Sequence, residues 1–68
     1  MVEPMLQFFA YQHLPEHLRD TSKLFFDLAY RLVATVPRNP ERTVALRKLL
    51  ESKDCVVRAM LYVDMNSQ

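Results

Sequence analysis

Three observations along the 68 residues predict an all-α protein: an antiparallel two-helix hairpin with a short N-terminal lead-in or helix, assembling with copies of itself into a homo-oligomeric helical bundle. Glycine is absent, apolar residues recur at three- and four-residue steps over two long stretches, and a Pro-Arg-Asn-Pro break separates those stretches. Without glycine the tight turns of β-hairpins lose their favoured residue, so turns fall to proline, asparagine and other residues with negative φ.

The elements follow in order. Residues 1–14 form the lead-in, rich in aromatic rings around Phe8-Phe9-Ala10-Tyr11. Pro15 suits the first position of a helix, where its missing N–H costs nothing, and the first helix is expected over 15–36. Along it Leu18, Ser22, Phe25, Leu28, Ala29, Leu32 and Val36 line one face, widened by Phe26, Tyr30 and Val33. Pro37 disfavours helical geometry at Val36, the turn takes 37–39, and Asn39 can cap a second helix with Pro40 in its first turn. That helix is expected over 40–64, fraying near Asp64 into a polar tail at 65–68. So short a connection makes the helices antiparallel. Asp27/Arg31 and Asp54/Arg58 place an acid four residues before a base, the favourable order for helical ion pairs.

Size and composition point to assembly. A chain of 68 residues buries too small a fraction of its surface to be comfortably stable alone, while its 50% hydrophobic content excludes disorder. The lone Cys55 cannot form an internal disulfide and is read as a small apolar residue packed in a helix interface. Both apolar stripes are wider than one hairpin seam, so a surplus face remains for self-association to cover. No apolar run approaches the roughly 20 residues of a membrane span, which sets the expectation of a cytoplasmic protein without a membrane partner. Net charge is +1, yet residues 38–58 hold six bases (Arg38, Arg42, Arg47, Lys48, Lys53, Arg58) against three acids. That local excess favours a compact anion over long nucleic acid.

No catalytic constellation, cofactor motif or metal-ligand spacing is present. His13 and His17 are four apart but separated by Pro15, with no third ligand, and there is no glycine-rich phosphate loop. The chain reads as a binder, and two regions could form its site. The first is Phe8 to Pro15, where Tyr11 and His13 offer a flat ring and hydrogen-bonding groups just before a helix start. Phe8 and Phe9 are read as packing over the open end of the hairpin, while Tyr11 stays open between packing and stacking on a ligand. The second region is the basic set of Lys53 and Arg58, with Arg42, Arg47 and Lys48 nearer the start of the helix and Ser22-Lys23 on helix one. Such groups can converge on a phosphodiester at a subunit interface or simply form a solvated face.

Tyr11-Gln12-His13-Leu14, the run from Asn39 to Asp54, and Val57-Arg58-Ala59 together resemble the small phage-encoded helical hairpins that act as anti-CBASS cyclic-nucleotide sponges, related to the hairpin of an anti-Thoeris sponge. The likeness covers about residues 8–61. It implies a hexamer of interlocked hairpins that captures cyclic di- or trinucleotides, or cyclic ADP-ribose isomers, without hydrolysing them, in the cytoplasm of an infected bacterium. In that family a tyrosine three residues before a leucine stacks on a base, which matches Tyr11 before Leu14. A helix-one lysine grips phosphate there; alignment through Leu14 or Leu28 puts Phe25 or Phe26 at that position, leaving Ser22, Lys23 or a helix-two base to supply the contact. An arginine late in helix two lines a trinucleotide pocket in the family, and Arg58 falls close to that place. The rival expectation is a structural or protein-interaction hairpin without a nucleotide ligand.

Overall fold

Proline and asparagine set the helix ends. The computed structural model describes residues 3–63. Pro15 is the N-cap of α1, Glu16–Thr35, with its carbonyl accepting from the Leu18 N–H at 2.9 Å and the Arg19 N–H at 3.2 Å, so the helix starts one residue later than expected. Val36, extended at φ −106° and ψ 132° ahead of Pro37, ends it. The Asn39 side chain accepts from the Arg42 N–H at 2.9 Å and caps α2, Pro40–Leu61, with Pro40 as its first residue. No described residue has a positive φ, as a glycine-free chain requires. α2 ends at Leu61, three residues before the expected end, because Tyr62 turns extended and its N–H reaches back to the Ala59 carbonyl. Asp64 and the tail at 65–68 lie outside the described residues.

The lead-in contains a helix of its own. Glu3 caps and Pro4 opens a 3-10 helix, Pro4–Phe9, with the Glu3 carboxylate accepting from the Met5 N–H at 3.5 Å. It does not pack over the open end of the hairpin. It lies along the α1/α2 seam, held by two long-range contacts to α2: Arg42 Nη2 with Glu3 Oε2 at 3.1 Å, and Lys53 Nζ donating to the Phe8 carbonyl at 2.9 Å. Arg42 and Lys53 are three helical turns apart, about 16 Å along the axis, so the lead-in runs parallel to α2 and antiparallel to α1. Phe9 is fully buried with Leu6, Ala29 and Leu46, while Phe8 stays 55% exposed.

This core is small and lopsided. The chain measures 48 × 23 × 15 Å with a radius of gyration of 13.9 Å, well above the ~11 Å that compact packing of this length would give. A slab this thin covers only the seam. Leu24, at 69% exposure, and Leu28, at 47%, face outward from α1, and Met60, Leu61, Tyr62 and Val63 are exposed at the end of α2. Leu28 thus lies on the uncovered side of the stripe assigned to it. Among the described residues, no helix is long and apolar enough to cross a membrane.

Two local expectations need correction. Asp27 pairs with Lys23 one turn earlier, at 2.9 Å, rather than with Arg31. Cys55 is exposed, and its sulfur accepts from Arg58 Nη2 at 3.1 Å, the guanidinium expected to pair with Asp54. Asp27 has a base one turn away on either side, and Arg58 has both Asp54 and Cys55 one turn before it, so in each case the helix offers a second partner.

Candidate functional site

A turn brings Tyr11 onto α1. After the 3-10 helix the Leu14 N–H donates to the Tyr11 carbonyl at 3.0 Å, and Arg19 Nε holds the Leu14 carbonyl at 3.0 Å, fixing residues 11–14 against the start of α1. The Tyr11 ring meets Phe26 edge-on, centroids 5.0 Å apart and planes at 69°, and Phe26 meets Tyr30 at 4.5 Å and 39°. Three rings from two segments therefore form one ladder along α1.

A cation stands at one end of it. Lys23 is on the same face of α1, three residues before Phe26, and its ammonium donates to the Asp27 carboxylate at 2.9 Å. That hydrogen bond and the Asp27 charge raise the Lys23 pKa above its ordinary 10.5, with smaller contributions in the same direction from Tyr11 and Asp20 and a small opposing desolvation. The three-residue step from Lys23 to Phe26 puts the lysine on the face of α1 that carries the ladder. At the other end, an open groove of about 540 Å³ runs between lead-in and helix, walled by Glu3, Gln7, Ala10, Gln12, Phe26 and Tyr30, within the roughly 300–1,000 Å³ range of small-molecule sites.

The residues singled out from sequence divide into three groups. Tyr11 meets Phe26 in the ladder, Lys23 lies one turn before Phe26 on the same face of α1, and His13 is exposed in the turn at 11–14. Ser22 and Lys53 lie behind, in the seam. Both are buried, and Arg42 Nη1 bonds the Val33 carbonyl across the same seam at 3.3 Å. Ser22 is fully buried and its hydroxyl has no partner among the described residues. The Lys53 ammonium is occupied with the Phe8 carbonyl, and neither residue lines the groove. Arg58 is remote from the ladder, in a second groove of about 540 Å³ formed with Cys55, Ala59 and Tyr62 near the open end.

Arg42, grouped with the basic set in the sequence, is a buried clasp. Besides Glu3 it holds the Val33 carbonyl and, at 3.0 Å, the Val36 carbonyl, so one guanidinium joins lead-in, α1 and α2. Gln7 and Gln12 are the site residues that sequence reasoning missed. Nothing marks an exposed glutamine as functional except its place beside the aromatic run.

The fold and the groove together define a three-segment helical hairpin with an aromatic, amide-edged surface groove and a lysine one turn before its Phe26 wall. No protein-family model, curated protein or solved structure matches the chain.

Proposed function

We propose that this chain is a non-catalytic sponge: a homo-oligomer, hexameric as the family resemblance implies, that binds and sequesters cyclic oligonucleotide immune signals and so inhibits CBASS-type anti-phage defence in the bacterial cytoplasm. The observation that carries the proposal is the Tyr11–Phe26–Tyr30 ladder with Lys23 at its end. An aromatic ring gives a nucleobase a face to stack on, and a charged lysine gives its phosphate a counter-ion. Tyr11 is the stacking residue that the family resemblance implies, and Lys23 takes the phosphate role of the family's helix-one lysine, whose position here holds Phe25 or Phe26. Arg58, in its own groove, is the candidate for a second, trinucleotide-type pocket completed by another subunit. The uncovered Leu24, Leu28 and residues 60–63 supply the apolar surface for assembly.

Isothermal titration against cyclic di- and trinucleotides and cyclic ADP-ribose isomers tests the proposal. Binding is expected with a fixed stoichiometry of ligand to oligomer, and no heat with any ligand at micromolar protein would sink it. Tyr11→Ala is expected to weaken dinucleotide capture by roughly tenfold or more, the loss of about 1–3 kcal/mol of stacking, with the oligomer unchanged in native mass spectrometry. Ligand-free oligomers that bind nothing in the panel would favour the structural hairpin, whose support is the same exposed apolar surface.

A further inference from the structure

The groove is edged by two carboxamides, and we propose that Gln12 and Gln7 read the Hoogsteen edge of one purine base lying against Phe26 and Tyr30, with its phosphate directed outward to Lys23. The inference rests on the nucleotide reading of the same site and adds which part of the ligand sits where and by which edge it is recognised.

Gln12 carries the first step. A backbone N–H can only donate, so the Gln12 atom that meets the Tyr11 N–H at 3.3 Å is the carboxamide oxygen. This holds the amide oxygen toward the chain and leaves the NH₂ group as a donor at the groove. A purine presents an acceptor, N7, on its Hoogsteen edge; adenine adds a donor beside it and guanine an acceptor. Gln7, on the other rim of the groove, has both a donor and an acceptor and can satisfy either neighbour of N7. A pyrimidine has no N7 and covers less of the aromatic wall.

Charge sets the ligand's direction. No lysine or arginine among the described residues lines the groove, and its wall includes the Glu3 carboxylate, already held by Arg42. A phosphate in the groove would face that carboxylate without a free cation. Lys23 is a cation on the ladder's face of α1, one turn before Phe26, and a nucleotide reaching it lies along α1 with its base toward Tyr30 and its phosphate toward the start of the helix.

The decisive comparison uses cyclic di-adenylate, its analogue with both N7 atoms replaced by C–H, and cyclic di-uridylate, each titrated into wild type and Gln12→Leu. Wild type is expected to bind the 7-deaza analogue roughly tenfold more weakly than the parent, because the Gln12 donor loses its N7 acceptor, and the uridine ring more weakly still. Gln12→Leu should bind parent and analogue alike. Gln12 is exposed, and unchanged helical circular dichroism verifies that the variant folds; were it misfolded, the analogue comparison on wild type still decides. Equal affinity of wild type for parent and 7-deaza ligand overturns the inference and leaves the sponge reading standing. Absence of binding by all three rings overturns the inference, and the sponge reading falls with it only if the cyclic trinucleotides and cyclic ADP-ribose isomers give no heat either.

Discussion

The two ends of the hairpin are built differently. At the turn end, Asn39 caps α2, Arg42 ties three segments through Glu3, Val33 and Val36, and Leu6, Phe9, Ala29 and Leu46 close a core. At the open end, Arg58 and Cys55 stand in solvent beside Met60, Leu61, Tyr62 and Val63, all more than 40% exposed. A chain this short has enough apolar surface for one good core, and it is concentrated where the lead-in adds a third layer. The remaining apolar surface is two-layered and uncovered, which is the physical case for a second subunit there.

Breaking the turn end should have the largest effect. Arg42 and Glu3 are each 8% exposed, and removing one partner of such a pair strands the other charge. Arg42→Ala is expected to cost about 3–5 kcal/mol in denaturant unfolding, against a total of about 3–10 kcal/mol for a domain of this size. The double variant Glu3→Leu/Arg42→Met, which removes both charges, should recover most of that loss. If Arg42→Ala were within about 0.5 kcal/mol of wild type, the clasp would not be what holds this end.

Lys53 marks the boundary between the two regions. Lys53→Met keeps the aliphatic length but leaves the Phe8 carbonyl unpaired, and should destabilise by about 1–2 kcal/mol. Its signature is local: the Leu6 and Ala10 amides, bonded to the Glu3 and Gln7 carbonyls within the lead-in, should exchange with solvent much faster while the Leu46 amide stays protected. Uniform acceleration along both helices would mean that the lead-in and the hairpin are one cooperative unit.

What the sequence disclosed and what it hid follow the same boundary. Both helices, the Asn39 cap and the turn came from local signals; the second helix starts where expected, at Pro40, and the other three helix ends moved by one to three residues. The clasp did not, because Glu3 and Arg42 are 39 residues apart and Lys53 and Phe8 45 apart, separations at which no periodicity speaks. One signal was present: residues 42, 46, 49 and 53 step by four, three and four along the apolar stripe of α2, which sets Arg42 and Lys53 on the buried face rather than among solvated bases. Even the lead-in helix had a local mark, an acid before a proline at Glu3-Pro4. Tyr11 was visible as an aromatic before a helix, but its meeting with Phe26 depends on the turn at 11–14 and on α1 running back past the lead-in.

At the open end the expected effect on the single chain is small. Leu61→Ser and Tyr62→Ser alter residues 55% and 74% exposed, so unfolding free energy should stay within about 0.5 kcal/mol under conditions where the protein is monomeric. Assembly should respond instead, with native mass spectra shifting to smaller species. Retention of the wild-type oligomer by both variants would move the subunit contact to the Leu24 and Leu28 face of α1.

The smallest effect belongs to the Lys23–Asp27 pair, which is solvent-exposed and lies outside both regions. Because the Asp27 bond raises the Lys23 pKa above 10.5, the pair's contribution is fully present below 10.5 and is lost only as pH rises through the raised value. Asp27→Asn should therefore differ little from wild type in melting temperature at any pH. Its effect is sharper in ligand binding. The Lys23 ammonium stays charged in wild type from neutral pH to about 10, so phosphate capture should be flat over that range. In Asp27→Asn the lysine pKa relaxes downward, and capture should begin to fall at a lower alkaline pH than in wild type. Coincident alkaline limbs for the two proteins would mean that a cation other than Lys23 meets the phosphate, and Arg58 at the open end would be the next to test.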